Sequence, residues 1–211
     1  MAYPVLGITG KAGSGKDTAA EFFREYGIPE INVDRIGHAV LEAESAAVAE
    51  AFGESILENG VISRQRLGTM VFADVSARNR LEAILHPAMI AEVKRCLGEI
   101  SGAATINAAL LYQMGLDRLC GHVLFVSAPE SIRAERLLSR PGMDSSRAQR
   151  ILAAQKNINP AGNSAETSIE NASTVAIFRT RLETFADDYF GGDTYALRRQ
   201  TKKADVYPQP G

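Results

Sequence analysis

The chain has 211 residues, of which 45% are hydrophobic and 23% are charged, and its formal net charge is −2 at pH 7. A single domain of this size can bury a substantial core, and the near balance of charges excludes a chain-wide basic surface for nucleic acid. Two cysteines are too few for a disulfide framework, and no apolar run is long enough to span a membrane. The N-terminus lacks a secretory pattern, so we expect a cytoplasmic protein with neither a nucleic-acid nor a membrane partner.

The hydrophobic pattern predicts strands that alternate with helices, which is typical of a parallel sheet with helical crossovers. Short apolar runs predict strands at residues 4–9, 28–33, 103–111, 122–127 and 174–178. Amphipathic runs predict helices at residues 17–26, 130–139 and 180–189, and over most of residues 35–97. The first helix is expected to bury Phe22 and Phe23. Breaks in the long helical stretch are expected at Gly53, Asn59-Gly60 and His86-Pro87.

A glycine-rich segment, GITGKAGSGKDT at residues 7–18, joins the first predicted strand to the first predicted helix. Gly, four residues, Gly and Lys form the pattern of a phosphate-binding loop, and the strand–loop–helix context supports it. A turn of glycines lets backbone N–H groups face phosphate oxygens, and the following helix adds the positive end of its dipole. We therefore predict that this phosphate loop binds a nucleotide through Gly10, Lys11, Ala12, Gly13, Ser14, Gly15, Lys16, Asp17 and Thr18.

The phosphate loop departs from the pattern at Asp17, where a hydroxyl residue that binds Mg²⁺ is usual. A carboxylate can bind Mg²⁺ directly or through water, although it also repels phosphate oxygens. The alternative role is stabilisation of the first helical turn by a negative side chain. The residues alone leave both roles open.

The central region resembles dephospho-CoA kinase, the enzyme that transfers phosphate from ATP to the ribose 3′-hydroxyl of dephospho-CoA. The resemblance spans residues 5 to about 157 and lies in the order and spacing of several short motifs. These are Phe52-Gly53, Gly60 with Arg64 and Leu67, Val71-Phe72, Leu81-Glu82, His86-Pro87, Leu110 to Tyr112, the arginine-spaced ERLLSR, RPGMDSS and Gln155.

This resemblance implies an α/β fold of the P-loop kinase type, with three layers and a five-stranded parallel sheet flanked by helices. It implies one domain with a core, a helical acceptor-binding insertion and a lid. The C-terminal tail is basic, and its own residues indicate a solvated or partly disordered segment, with a contact to RNA or to a partner as the alternative. The corresponding residues are 1–35, 99–138 and 151–190 for the core, 36–98 for the insertion, 139–150 for the lid and 191–211 for the tail. ATP and Mg²⁺ are the implied cofactors and dephospho-CoA the implied acceptor, for a protein expected to be a monomer or a small homo-oligomer.

The resemblance also implies catalytic roles for Lys16, Asp34 and Arg140. Asp34 matches the second aspartate of the family's Asp-x-Asp motif and is the candidate general base, or orienting group, for the 3′-hydroxyl. Arg136 and Arg140, four residues apart and expected on one helix face, match lid arginines that neutralise phosphates, and Arg147 is a further candidate. Alternatively, Asp34 is the N-cap of a helix that starts at Arg35, and the arginines form a solvated face.

Three more residues are implied to bind the acceptor. Arg64 matches an arginine of the acceptor-binding insertion that could meet the pyrophosphate of the substrate, and His86 and Leu110 lie in matched motifs. A structural role for His86 at a helix start is the alternative, because the residue before a proline is pushed out of helical geometry.

The departures from the family pattern concentrate at chemically important positions. Asn32 and Asn107 stand where the family has aspartates, Ala109 where it has proline and Gln113 where it has glutamate. The family's Lys-x-x-x-Ala-Asp motif and the asparagine after its last strand have no clear counterpart. Because one carboxylate is lost at Asn107 and one gained at Asp17, we predict that these two residues share the Mg²⁺ site.

Two other functions remain open from the residues alone. The form SGKDT also resembles that of some other phosphate-loop kinases, so the acceptor could be a nucleoside, a nucleotide or another small alcohol. The three changes at Asp17, Asn32 and Asn107 together are also compatible with a nucleotide-binding or CoA-binding protein that does not transfer phosphate.

Overall fold

The computed structural model describes residues 4–156, 158–160 and 166–191, so the predicted tail beyond residue 191 lies outside the described residues. The chain divides into two compact units, a smaller one of Val33–Gly98 and a larger one that contains the rest. The strands are β1 (Val5–Thr9), β2 (Glu30–Asn32), β3 (Leu57–Glu58), β4 (Val61–Ile62), β5 (Ala104–Asn107), β6 (His122–Ser127) and β7 (Glu166–Glu170). The helices are α1 (Lys16–Glu25), α2 (Val33–Ala43), α3 (Ser45–Phe52), α4 (Arg64–Ala73), α5 (Val75–Glu99), α6 (Glu130–Leu138), α7 (Ser145–Ala154) and α8 (Val175–Phe190).

The larger unit is built on a five-stranded parallel sheet with the strand order β2-β5-β1-β6-β7. This confirms the predicted α/β fold with a parallel sheet flanked by helices. Because β1 is the central strand, the loop that follows it emerges at the middle of the carboxyl edge, where ligands bind in folds of this class. The strand predicted at residues 103–111 is shorter in the structure and ends at Asn107.

The core of the larger unit lies between this sheet and the helices α1 and α8. Phe22 and Phe23, predicted to be buried, are both inaccessible to solvent, and their rings meet edge to face at 5.2 Å. They pack in one cluster with Leu6 and Ile8 of β1 and with Phe178 of α8. Burial of each ring stabilises the fold by about 1.5–3 kcal/mol, so the core holds α1, and with it the phosphate loop, against the sheet.

The smaller unit contains α2 to α5 and a two-stranded antiparallel hairpin of β3 and β4. Asn59 and Gly60 form the hairpin turn with φ values of 53° and 79°, the left-handed backbone that a tight hairpin requires. The predicted break at Asn59-Gly60 is therefore a hairpin.

The predicted break at His86-Pro87 is wrong, because α5 continues through both residues. A proline inside a helix removes one backbone hydrogen bond and strains the preceding turn. Leu85 and Val93 are buried on either side of it, so side-chain packing keeps the helix continuous.

The strand predicted at residues 174–178 is also wrong. The last strand is β7, and Thr174 is the N-cap of α8, where its hydroxyl accepts a hydrogen bond from the Ile177 N–H at 3.4 Å. The apolar, β-branched run after Thr174 resembles a strand locally, but Phe178 and Leu182, four residues apart, lie on the buried side of a helix.

Neither cysteine forms a disulfide, and the described helices include none that is long and apolar enough to cross a membrane. Burial, helped by the negative charge of Asp117, raises the pKa of the Cys120 thiol to about 12. Cys120 is therefore protonated and unreactive at neutral pH.

Candidate active site

The phosphate loop follows β1 and depends on glycine at three positions. Gly10, Gly13 and Gly15 have φ values of 154°, 80° and 100°, which a residue with a Cβ rarely adopts. A Cβ on Gly13 would lie 2.7 Å from the carbonyl oxygen of Arg133, and one on Gly15 would lie 2.3 Å from the Nδ2 of Asn171. The turn is therefore packed tightly on its outer side by α6 and by the segment after β7.

The N-terminus of α1 offers backbone donors to an anion. The first backbone bond of the helix joins the Ala19 N–H to the Gly15 carbonyl oxygen at 3.1 Å, and no side chain caps the helix. The N–H groups of Lys16, Asp17 and Thr18 are thus outside the helical pattern, at the positive end of the dipole. The buried Ser14 hydroxyl also has no hydrogen-bond partner within the described residues. This arrangement suits a phosphate group.

Lys16, Asp17 and Asn107 are in mutual contact. The Lys16 Nζ lies 2.8 Å from the Asp17 Oδ1 and donates to the Asn107 Oδ1 at 3.4 Å. The Asn107 Nδ2 donates to the Asp17 Oδ1 at 3.0 Å. The structure therefore places together the two residues predicted to share the Mg²⁺ site, although 90 positions separate them in the chain.

The ionisation of Asp17 depends on these contacts. Partial burial of the carboxyl raises its pKa, but the hydrogen bonds from Lys16 and Asn107 and the charges of Lys16 and Arg140 outweigh that effect, so the pKa of Asp17 lies below its usual value. A carboxyl with a lowered pKa in the folded state stabilises the fold at neutral pH and loses that contribution as the pH falls through the folded pKa. Asp17 is therefore a carboxylate at neutral pH.

Glu30, which the sequence analysis missed, joins the two asparagines that replace family aspartates. Its Oε1 accepts hydrogen bonds from the Nδ2 of Asn107 at 2.8 Å and from the Nδ2 of Asn32 at 3.0 Å. The spacing of Glu30 and Asn32 is a signal that could have been used, since alternate residues of a strand share one face of the sheet.

Asn171 and Arg136 hold the phosphate loop from outside. Asn171 is buried, and its Nδ2 donates to the Ser14 carbonyl oxygen at 2.9 Å. Arg136 donates to the carbonyl oxygen of Gly13 at 3.2 Å and to the Oδ1 of Asn171 at 3.3 Å. Because Asn171 directly follows β7, the interpretation that this chain lacks an asparagine after its last strand is wrong; it arose from misplacing that strand.

The segment predicted as a lid, residues 139–150, comprises the turn between α6 and α7 and the first six residues of α7. Arg140 lies in this turn, beyond the end of α6 at Leu138, so the expectation that Arg136 and Arg140 share a helix face is wrong. The turn nevertheless keeps the positive charge of Arg140 close enough to act on Asp17. Arg147 is exposed in the first turn of α7, where its backbone N–H is capped by Asp144.

Helix α7 also contacts the phosphate loop. Ala12 packs against a small apolar cluster that contains Leu137 and Leu152, and its N–H donates to the side-chain oxygen of Gln155. The Lys11 Nζ donates to the carbonyl oxygen of Lys156 at 3.1 Å. These contacts link the position of the loop to that of α6 and α7.

The other residues predicted for catalysis or acceptor binding are Asp34 in α2, His86 in α5 and Leu110 after β5. Asp34 is exposed in the first turn of α2, and because the helix begins at Val33 the alternative role of N-cap before Arg35 is wrong. His86 is half-buried within α5. Leu110 is half-buried in the turn after β5.

Arg64 lies in the smaller unit, where it lines a cavity. At the start of α4 it forms an ion pair of 2.7 Å with Glu42 of α2. Both residues line a cavity of about 460 Å³ that also includes Gly60 of the hairpin. This volume is in the range of small-molecule sites.

Replacing Asn171 with alanine is expected to raise the KM for ATP about tenfold, because the Ser14 carbonyl oxygen and Arg136 lose their shared partner and the loop is held less firmly. Steady-state kinetics with ATP as the varied substrate measures this. Ser173→Ala is the matched control, since Ser173 is exposed two residues further on, and it should leave the KM unchanged. Equal KM values for Asn171→Ala and the unmutated protein would contradict the assigned role.

The comparison with known proteins decides the family. A family model described as dephospho-CoA kinase matches residues 4–176. The chain belongs to the dephospho-CoA kinase family. It is 35% identical to the dephospho-CoA kinase of Anaeromyxobacter dehalogenans over 196 residues, which cover 89% of this chain and 93% of the relative. The dephospho-CoA kinase of Borreliella burgdorferi is 37% identical over 160 residues, or 73% of this chain and 77% of the relative.

The fold agrees with this assignment. The solved structure of a dephospho-CoA kinase from Campylobacter jejuni covers 90% of this chain and 98% of its own length, with a TM-score of 0.65 and 23% identity. The resemblance read from the motifs is thus confirmed, and the chain is a transferase that phosphorylates dephospho-CoA in coenzyme A biosynthesis. Members of this family use ATP with Mg²⁺.

Proposed function

We propose that this dephospho-CoA kinase binds the ATP phosphates in the phosphate loop and transfers the γ-phosphoryl group to the ribose 3′-hydroxyl of dephospho-CoA. The observation that carries this proposal is the buried Lys16 beside Asp17 and Asn107, at the point where the central strand meets a helix N-terminus. In the transfer, the 3′-oxygen bonds to the γ-phosphorus as the bond from that phosphorus to the β–γ bridging oxygen breaks, and the products are CoA and ADP.

The loop residues meet the requirements of a triphosphate. The backbone N–H groups of residues 16–18 and the dipole of α1 are already oriented to neutralise the negative charge of the phosphates. Lys16 exchanges its present partners for phosphate oxygens. Arg140, at the turn between α6 and α7, adds a permanent positive charge near Asp17, and Arg136 holds the loop in shape. These groups stabilise the charge that spreads over the transferred phosphoryl group.

The side chains also fit a magnesium ion held jointly with phosphate. The described residues contain no group of three or more acidic, histidine or cysteine side chains that could hold a metal alone. Mg²⁺ commonly takes one or two protein oxygens and completes its shell with phosphates and water, and the Asp17 carboxylate with the Asn107 amide oxygen would supply these. When bound, the ion neutralises the phosphate oxygens and orients them.

The smaller unit supplies the acceptor side in this proposal. Asp34, exposed on the first turn of α2, accepts the proton of the 3′-hydroxyl or orients that group. The cavity beside Arg64 and Glu42 holds part of dephospho-CoA, with the Arg64 guanidinium released from Glu42 to meet the pyrophosphate. His86 and Leu110 complete the acceptor contacts, and residues 139–150 act as the lid.

We further propose that the protein works in the cytoplasm as a monomer or small homo-oligomer, without nucleic acid or membrane. Its two free cysteines suit a reducing compartment, and the formal net charge of −2 gives no general attraction to nucleic acid.

Replacing Asp34 with asparagine is expected to lower kcat about 100-fold while leaving the Kd for ATP unchanged, because the amide accepts no proton but keeps the shape of the side chain. The assay follows ADP release from ATP and Mg²⁺ with and without dephospho-CoA, and CoA is identified by its mass. The unmutated protein should release ADP only when dephospho-CoA is present.

Asp187→Asn is the control for this substitution, since Asp187 is an exposed aspartate on α8. Unchanged kcat in Asp34→Asn would remove Asp34 from the reaction and leave the kinase assignment intact. If the unmutated protein binds ATP but makes no CoA, the chain is either a kinase of another acceptor or a binding protein, and a panel of nucleosides and nucleotides separates these two.

A further inference from the structure

Two carboxylates, those of Asp17 and Glu30, fix the orientation of the Asn107 side-chain amide. It is completely buried, and its Nδ2 donates to Asp17 at 3.0 Å and to Glu30 at 2.8 Å. An amide nitrogen has two hydrogens, and these two acceptors account for both. If the amide were turned over, its oxygen would face two carboxylates at hydrogen-bond distance and repel them. The Asn107 oxygen must therefore point toward Lys16, where the structure has it at 3.4 Å.

Glu30 is well placed to fix this amide. It is the first residue of β2, and only 11% of its side chain is exposed. Its Oε1 accepts hydrogen bonds from Asn107 and Asn32, and its Oε2 lies 3.5 Å from the Arg24 guanidinium. Both oxygens of the carboxylate therefore have partners that fix its position. The charge-assisted hydrogen bond to Asn107 is stronger than one between neutral groups.

Glu30 also accounts for two departures from the family pattern at once. Both asparagines that replace family aspartates, Asn32 and Asn107, donate to this one carboxylate. An aspartate at position 107 would instead bring a third carboxylate against Asp17 and Glu30, and this charge would be costly because position 107 is completely buried. An amide at position 107 and a carboxylate at position 30 therefore belong together.

We propose that Glu30 is a positioning residue for phosphoryl transfer in this enzyme: it fixes the Asn107 amide, whose oxygen in turn sets the position of the Lys16 ammonium. This role rests on the function proposed above for Lys16. In this role Glu30 acts through Asn107 and not through a contact of its own with the substrates. Without it, the Asn107 amide loses one of the two carboxylates that fix its orientation, so its oxygen is held less firmly toward Lys16.

Replacing Glu30 with alanine is therefore expected to lower kcat about 30-fold per folded molecule while leaving the KM for dephospho-CoA unchanged, because the cation is misplaced in the transition state. Glu30→Gln, which keeps an acceptor oxygen for Asn107, should recover most of this loss. The matched control is Glu21→Ala: Glu21 also lies 3.5 Å from the Arg24 guanidinium but is exposed on α1. It should leave kcat unchanged.

A second pair of variants tests the link to Asn107 with a measurement in addition to turnover. Asn107→Asp alone is expected to lower the melting temperature of the nucleotide-free protein by about 5 °C, through the clash of three carboxylates. Adding Glu30→Gln restores the total charge and supplies an amide donor, so the double variant should regain most of the lost melting temperature and of the lost kcat.

Two outcomes would overturn the role of Glu30. The first is a Glu30→Ala variant with the kcat of the unmutated enzyme, even if its melting temperature falls, since a purely structural residue changes only the folded fraction. The second is strict additivity of Asn107→Asp and Glu30→Gln in both melting temperature and kcat. If Glu30→Ala does not fold, the Glu30→Gln and Asn107→Asp variants still decide the question. Absence of CoA formation by the unmutated protein would instead refute the proposed function.

Discussion

Replacing Lys16 with methionine is expected to lower kcat for CoA formation by about 10³-fold, because the transferred phosphoryl group loses its nearest buried cation. The methionine fills most of the same volume, and the Asp17 side chain left behind is 64% exposed and therefore hydrated. We thus expect the urea midpoint of unfolding to change little. Steady-state kinetics and urea unfolding of the same preparation separate the two effects.

The control for Lys16→Met lies in the same loop. Lys11 is also a lysine of the phosphate loop, but its Nζ rests on the carbonyl oxygen of Lys156 near the loop surface. Lys11→Met should raise the KM for ATP a few-fold and leave kcat almost unchanged. If both variants lost the same small factor, Lys16 would be only one of several equivalent cations around ATP, and its central role would be refuted.

Replacing Gly13 with alanine is expected to abolish ATP binding and to destabilise the fold by about 2–4 kcal/mol. About 1–2 kcal/mol comes from placing a Cβ on a left-handed residue, here with φ of 80°, and the rest from overpacking. The new methyl would lie 2.7 Å from the Arg133 carbonyl oxygen and 3.0 Å from the Arg133 Cα, so backbone must move. Urea unfolding and ATP titration measure both effects.

Gly27 provides the comparison for Gly13. Its φ is 77°, nearly the same, but a Cβ there would meet nothing within 4 Å. Gly27→Ala should therefore lower the free energy of unfolding through backbone strain alone and leave the Kd for ATP unchanged. The difference in unfolding free energy between the two variants then gives the contribution of the contact with Arg133. Equal destabilisation and equal ATP binding in both variants would show that α6 yields freely at this point.

The residues behind these predictions differ in whether the sequence alone could identify them. The phosphate loop is one continuous segment, so its glycines and Lys16 were predictable from their spacing. Glu30 and Asn107, by contrast, are 77 residues apart and meet only because β2 and β5 are neighbours in the sheet. A contact of this kind depends on strand order, which no local pattern encodes.

The errors along the chain have a common physical origin. The run after Thr174 contains β-branched and apolar residues that favour a strand locally, yet Thr174 caps a helix and Phe178 packs in the core. Pro87 would end an isolated helix, yet buried neighbours keep α5 continuous. In both cases tertiary packing outweighs a local preference of about 1–3 kcal/mol. Misplacing the last strand then concealed Asn171.

The sequence by itself determined the family, the alternation of strands and helices, the phosphate loop and the candidates Lys16 and Asp34, because these depend on residues close together in the chain or on motifs in a recognisable order. Only the tertiary structure decided which groups surround Lys16. It showed that Asp17, Asn107 and Glu30 form one hydrogen-bond network and that Asn171 contacts the phosphate loop from outside. The physical reason is that hydrogen bonds and ion pairs act over a few ångströms in space, whatever the separation of their residues in the chain.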